Sequence, residues 1–108
     1  MRNFGIMNLN QTIISQIIEI VKIRKKVHKL VLFGSRATNN ARWTSDIDLA
    51  VFGNNLSDAD LNLIKDDLEE KVKTPLKFDV VHFDALKKES LKSEILKEGI
   101  VIYESKKD

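Results

Sequence analysis

Two aspartates inside an apolar, strand-like segment constrain this chain more than any other feature. The segment SDIDLAVF, residues 45–52, places Asp46 and Asp48 on either side of Ile47 and then continues with apolar residues. Because successive side chains of a strand point to opposite faces, both carboxylates project to one face and Ile47 to the other. Their repulsion raises the pKa of one of them unless a cation neutralises the pair, and such oxygen ligands suit a hard ion such as Mg2+. Taken alone, an Asp-x-Asp pair is more often a surface or turn feature than a metal site.

A third aspartate lies in another apolar run. Asp79 stands within LKFDVVHF, residues 76–83, where a buried charge would need a partner. The chain between Asp48 and Asp79 is long enough for a crossover that brings the two strands side by side. Asp79 is therefore a candidate third ligand of the same ion. The alternative is a carboxylate on an exposed edge strand, or one that is paired with a lysine.

The dipeptide Gly34-Ser35 ends the first apolar run, residues 30–33. Glycine permits close approach of the backbone to a ligand, and a short helix beginning after it would aim N–H groups at an anion. The serine hydroxyl would either join such a phosphate cradle or cap the short helix. Strand-Gly-Ser turns are common, so the dipeptide indicates a phosphate site only in combination with the aspartates.

Hydrophobic periodicity predicts the remaining elements. In chain order they are a helix at 9–23, a strand at 30–33, a short helical turn, a strand at 47–52, a helix at 57–74, a strand at 76–83, a helix at 90–98 and a strand at 100–103. Asn8 with Gln11, and Ser57 with Asp60, have the spacing of N-terminal capping boxes, and Gly99 suits a helix C-cap. This order predicts a small β-sheet covered by helices.

Composition limits the classes of protein that this chain can belong to. With 108 residues, of which 43% are hydrophobic, we expect one domain over residues 1–108. The formal net charge of +2 gives no strong field toward nucleic acid or a membrane. The absence of cysteine excludes disulfides and thiolate metal sites. No signal peptide or membrane-length apolar run is evident, so we expect a soluble, cytoplasmic protein.

The stretch GSRATNNARWTSDIDLAV, residues 34–51, resembles the signature of the nucleotidyltransferase superfamily with the DNA polymerase beta fold. That signature is Gly-Ser, a loop, Asp-x-Asp, and a third aspartate on a later strand. More narrowly, G-S-R-A, then Arg, then S-D-I-D-L in so short a chain resembles the minimal nucleotidyltransferases that form the antitoxin half of a two-gene toxin–antitoxin system. Asn39 stands where many members have glycine, and it tolerates the left-handed backbone that such a turn needs. Trp43 stands where proline is frequent.

The resemblance implies an α+β fold, with a small mixed β-sheet flanked by helices, and a Mg2+-dependent nucleotidyltransferase. In this family pattern Asp46, Asp48 and Asp79 would hold two Mg2+ ions, and Asp79 would also help to deprotonate the attacking hydroxyl. Gly34 and Ser35 would hold the β and γ phosphates of a nucleoside triphosphate. Two ions stabilise the entering and leaving oxygens of an in-line displacement at the α phosphorus.

The narrower resemblance also implies a partner. In the minimal antitoxin family, AMP is transferred from ATP to a tyrosine of an all-helical HEPN-domain toxin, a ribonuclease, and pyrophosphate is released. Two alternatives stay open, namely a non-catalytic nucleotide-binding antitoxin that acts by occlusion, and nucleotidyl transfer to a small molecule or RNA. The modest net charge gives RNA little electrostatic grip.

Several residues near the motif have more than one interpretation. Arg36 either contacts a phosphate or is a solvated residue of the short helix, and Arg42 either contacts the triphosphate or pairs with a nearby aspartate. For Trp43, burial that anchors its loop is favoured over stacking on a base or contact with a partner. His28 and His82 lack ligand-like spacing and are interpreted as structural or surface residues.

Overall fold

A mixed β-sheet with helices on both faces forms the described part of the chain. The computed structural model describes residues 9–105. Within them the elements are α1 (Gln11–Val21), β1 (Val27–Phe33), β2 (Ile47–Gly53), α2 (Asp58–Lys71), β3 (Phe78–His82), α3 (Glu89–Glu98) and β4 (Ile100–Glu104). Short 3-10 turns, Gly34–Arg36 and Phe83–Ala85, follow β1 and β3. The predicted α+β fold is confirmed.

The sheet has the strand order β3-β2-β1-β4. Strand β1 is antiparallel to both β2 and β4, whereas β2 and β3 are parallel. A parallel pair needs a crossover connection, and α2 supplies it between β2 and β3. The crossover predicted between the two aspartate-bearing strands is therefore present.

The two faces of the sheet pack against different helices. One face, which includes Leu30, Leu32 and Leu49, forms the larger core cluster with buried residues of α1 and α2. On the opposite face, Ala50 belongs to a smaller cluster that includes Ile95 of α3. The change of face between positions 49 and 50 follows from the two-residue period of a strand. It also means that Asp48, one residue from Leu49, faces the α3 side.

The capping box predicted for α2 is present, whereas the one predicted for α1 is not. Helix α2 has the predicted capping box, since the Asp60 N–H donates to Ser57 Oγ at 3.1 Å and the Ser57 N–H donates to Asp60 Oδ2 at 2.9 Å. Helix α1 is capped by Asn10, whose Oδ1 accepts from the Ile13 N–H at 2.9 Å. The box at Asn8 and Gln11 was therefore misplaced, and Asn8 itself lies outside the described residues. Within residues 9–105 no helix is long and apolar enough to cross a membrane.

Strand boundaries differ from the predicted ones by a few residues. Strand β1 begins at Val27, earlier than predicted, because the polar residues His28 and Lys29 interrupt the apolar run near its start. Its Lys29 lies over the ring of Phe52, with Nζ 4.5 Å from the centroid. Strand β3 is shorter than predicted because Phe83 already begins a 3-10 turn. Gly99 does follow α3, and its N–H donates to the Ile95 carbonyl at 3.0 Å.

Candidate functional site

Three aspartates lie at one end of the central strands. Asp46 immediately precedes β2, Asp48 is within β2, and Asp79 is the second residue of β3. The parallel register places Asp48 directly opposite Asp79. Neighbouring residues paired in this way have side chains on the same face of the sheet. Asp48 is half-buried, whereas Asp46 and Asp79 are exposed, so this cluster of aspartates opens to solvent.

Burial and neighbouring acids raise the pKa of Asp48 to about 6. Loss of solvent contributes most, followed by the negative charges of Asp79, Asp46 and Glu94, while Arg36 acts in the opposite direction. The carboxylates are therefore close enough to repel one another. Glu94 was not identified from the sequence, since its approach to the strands depends on how α3 packs through its buried neighbours and no motif marks it.

The aspartates fit a divalent cation by their chemistry. Carboxylate oxygens are the ligands that Mg2+ prefers. Within residues 9–105, no three His, Cys, Asp or Glu side chains already converge as a ligand set, so Asp46, Asp48 and Asp79 would have to reorient to share an ion. The lack of a side chain at Gly34 lets the Asp48 carboxylate lie directly against the turn, because a Cβ built on Gly34 would collide with Asp48 Oδ2. A larger residue at position 34 would therefore displace the Asp48 carboxylate.

The Gly34-Ser35 turn directly follows β1, whose last residue, Phe33, pairs with Asp48. Gly34 has a φ of +76°, a left-handed conformation that favours glycine. The predicted short helix is a single 3-10 turn, in which the Ala37 N–H donates to the Gly34 carbonyl at 3.1 Å. The fold brings this turn next to Asp48. Phosphate binding by Gly34 and Ser35 stays a prediction.

Arg36 is buried, with only 4% of its surface exposed. Its guanidinium donates to the carbonyls of Arg42, Trp43 and Ser45, in the loop that leads to Asp46. The interpretation of Arg36 as a solvated residue was therefore wrong. Contact of Arg36 with a phosphate stays a prediction, although several of its donors already bond the loop.

Trp43 is 86% exposed, so the expectation that burial of this side chain anchors its loop was wrong. The anchor is Arg36, whose bonds hold the backbone and leave the indole in solvent. Stacking on a base and contact with a partner remain as interpretations.

Arg42 is also exposed, and within the described part of the chain it forms no ion pair with an aspartate. His82 Nε2 lies 3.3 Å from the Gly53 carbonyl, as a structural residue would.

Comparison with known proteins identifies the family. The family model described as polymerase beta, nucleotidyltransferase matches residues 15–108. The chain belongs to this nucleotidyltransferase family. The resemblance seen in the sequence motif is thereby confirmed at the level of the family. No curated protein sequence matches the chain.

Solved structures share the fold of this nucleotidyltransferase. A toxin–antitoxin complex with AMP-PNP matches with a TM-score of 0.73 and 20% identity, over 85% of this chain and 73% of that one. The toxin–antitoxin complex MntA-HepT matches with a TM-score of 0.69 and 19% identity, over 89% of this chain and 74% of that one. A candidate minimal nucleotidyltransferase matches with a TM-score of 0.66 and 25% identity, over 83% of this chain and 92% of that one. Because the two toxin–antitoxin complexes are only about 20% identical to this chain, their similarity shows a shared fold and no more.

The loop of the nucleotidyltransferase contains a left-handed residue, Asn39, with a φ of +64°. This is the conformation that its sequence position predicted. We expect Asn39→Ala to lower the free energy of unfolding by about 1 kcal/mol, because alanine has no polar side chain that can stabilise a left-handed backbone by a local hydrogen bond. Asn39→Gly should cause no such loss, because glycine adopts this conformation freely. Urea denaturation measures both. Asn54→Ala, at an exposed position without a positive φ, is the control, and an equal loss at both sites would contradict the explanation.

The raised pKa of Asp48 predicts a pH-dependent effect of Asp48→Asn in the metal-free protein. A carboxyl whose folded pKa is raised contributes stability at low pH, and that contribution is lost as pH rises through about 6. The variant lacks this titration, so its melting temperature should exceed that of wild type by a few °C at pH 8, and by less at pH 5. Thermal unfolding in EDTA tests this. Asp66→Asn, at an exposed site, should show no such trend, and a pH-independent gain at Asp48 would refute the assignment.

Proposed function

We propose that this nucleotidyltransferase is an antitoxin that transfers AMP from ATP to a tyrosine of a HEPN-domain toxin, in a Mg2+-dependent reaction in the cytoplasm. The observation that carries the proposal is the register of Asp48 against Asp79 beside Gly34. Membership of the nucleotidyltransferase family supports the reaction class. Likeness to toxin–antitoxin complexes, one of them with AMP-PNP, supports the partner class and the nucleotide.

Each residue of the site has a distinct part in this proposal. Asp46 and Asp48 would hold the divalent ions, while Gly34 and Ser35 would hold the β and γ phosphates through the turn after β1. Asp79 takes the proton of the tyrosine hydroxyl. The hydroxyl oxygen bonds to the α phosphorus, the bond from that phosphorus to the bridging oxygen breaks, and pyrophosphate leaves with the bonding electrons. When bound, two Mg2+ ions would stabilise the entering and leaving oxygens.

The position of Asp79 is compatible with a protein acceptor. Strand β3 is an edge strand of the described sheet, and the Asp79 side chain is exposed. A hydroxyl on the surface of a second protein can therefore reach this carboxylate without entering a closed pocket.

Labelling with ATP tests the proposal. The protein is incubated with Mg2+, α-labelled ATP and a candidate partner. The candidate partner is the product of the neighbouring reading frame, provided that this product is a helical HEPN-type protein. We expect label on the partner, a mass increase of one AMP, and a tyrosine as the modified residue in the fragment spectrum. The partner's ribonuclease activity should fall as label accumulates.

Separate outcomes distinguish the alternatives. Inhibition of the partner without label, and at equal stoichiometry, would show an antitoxin that acts by occlusion. Label on RNA or on a small molecule, with none on the partner, would show a different acceptor. Either result would overturn the proposed protein adenylylation.

A further inference from the structure

A buried guanidinium extends from the turn after β1 to the loop that leads to Asp46. Arg36 ends the 3-10 turn that begins at Gly34, and it is the one charged residue classed as buried within the described residues. A buried charge is costly unless hydrogen bonds and opposite charges compensate it. The hydrogen bonds of Arg36 therefore indicate which part of the structure it stabilises.

The hydrogen bonds of Arg36 converge on the end of one loop. Nε and Nη2 donate to the Ser45 carbonyl at 3.1 and 2.7 Å. Nη2 also donates to the carbonyls of Arg42 and Trp43, each at 3.2 Å. The Ser45 carbonyl belongs to the peptide group that leads directly into Asp46, so the guanidinium holds the backbone next to a predicted metal ligand.

Electrostatics places the same guanidinium near two carboxylates. Burial lowers the pKa of Arg36, while the negative charges of Asp46 and Asp48 raise it. An arginine remains protonated at physiological pH under such opposing influences. Arg36 thus contributes a permanent positive charge beside the aspartates, in addition to its bonds with the loop.

We infer that Arg36 is a positioning residue, which clamps the loop of residues 37–45 and thereby fixes Asp46 relative to the Gly34-Ser35 turn. The inference rests on the proposed function, because it concerns how the same site is held. Arg36 acts through the backbone carbonyls of Arg42, Trp43 and Ser45. The exposed indole of Trp43 is carried on this clamped loop.

Lysine can replace the charge of Arg36 but not its geometry. A guanidinium is a planar fork, whose Nε and Nη2 bond carbonyls in fixed relative directions, whereas an ammonium is a compact charge on a flexible stem. Arg36→Lys therefore separates the clamp from the charge, and it keeps a cation beside Asp46 and Asp48. Arg36→Gln removes both.

The test measures binding and loop motion instead of turnover. Mn2+ in the presence of AMP-PNP is titrated by calorimetry, and the fluorescence anisotropy decay of Trp43, the only tryptophan, reports motion of the loop. We expect Arg36→Lys to weaken Mn2+ binding by about 10- to 100-fold, the range typical for residues that orient metal ligands. Faster local depolarisation of Trp43 should accompany it. Arg36→Gln should show both effects at least as strongly.

The matched control is Arg24→Lys. Arg24 is partly buried and pairs with Asp67 of α2. It precedes the first residue of β1, whereas the Gly34 turn follows the last one. The Arg24→Lys variant should lose stability without changing Mn2+ affinity or Trp43 motion. All measurements are made at a temperature where circular dichroism shows each variant to be folded.

The outcomes separate the inference from the proposed function. Wild-type affinity and wild-type anisotropy in folded Arg36→Lys would overturn the clamp, and would leave AMP transfer untouched. Equal weakening by Arg24→Lys and Arg36→Lys would overturn it as well, because the effect would then be general destabilisation. Absence of Mn2+–nucleotide binding by wild type would instead overturn the proposed function, and the inference with it.

Discussion

We expect the replacement of Asp46 and Asp48 together by asparagine to reduce the initial rate of the proposed AMP transfer by at least about 10³-fold. Metal ions supply several kcal/mol of stabilisation to the charge that develops in such a reaction, and each 1.36 kcal/mol lost is a factor of ten in rate. Amides are neutral and hold divalent ions weakly. The measurement is the initial rate of labelled AMP incorporation into the toxin at saturating Mg2+ and ATP.

The single variants sharpen this expectation. If Asp46 and Asp48 act as one metal-binding unit, either substitution alone should cause most of the loss, since effects within a catalytic unit are far from additive. Asp66→Asn removes an exposed carboxylate of α2 and should retain the wild-type rate. A double variant that is folded and still labels the toxin at wild-type rate would rule out the assigned roles.

Gly34→Ala is the second substitution for which we expect a large effect. A side chain at a φ of +76° is strained by about 1–3 kcal/mol, and the added Cβ would also collide with Asp48 Oδ2. Moving that carboxylate by about 1 Å is enough to reduce the rate by about 10²-fold. We therefore expect a loss both of stability and of AMP transfer, measured by urea denaturation and by the labelling rate.

Asn39→Ala is the control that separates these two effects. It introduces left-handed strain of about 1 kcal/mol at an exposed residue in the segment that follows Gly34. It should lower stability while retaining most of the rate. Equal rate losses in the two variants at equal loss of stability would show that Gly34 acts only through folding.

The sequence predicted the parts of the site that depend on periodicity and turn chemistry. Alternation along β2 placed Asp48 on the face opposite the larger core, and the crossover length allowed Asp79 to lie beside Asp48, as the register shows. The left-handed conformation of Asn39 followed from the kind of residue at that position. These features are local, or follow from the direction of a strand.

Features that depend on tertiary packing were beyond the sequence pattern. Burial of Arg36 depends on three carbonyls that only the folded loop brings together, so its charge alone indicated solvent or phosphate. Exposure of Trp43 is the counterpart, because the guanidinium anchors the loop and leaves the indole free. The approach of Glu94 to Asp48 depends on the docking of α3, which no motif reports.

The proposed function requires the aspartates to share divalent ions beside the Gly34-Ser35 turn. Crystals grown with Mn2+ and AMP-PNP, with data collected at the manganese edge, test this directly. We expect anomalous density bonded to Asp46 and Asp48 and to at least one carboxylate oxygen of Asp79, with the triphosphate on Gly34 and Ser35. Nucleotide bound elsewhere, or manganese density that excludes Asp79 and the Asp46–Asp48 pair, would contradict it.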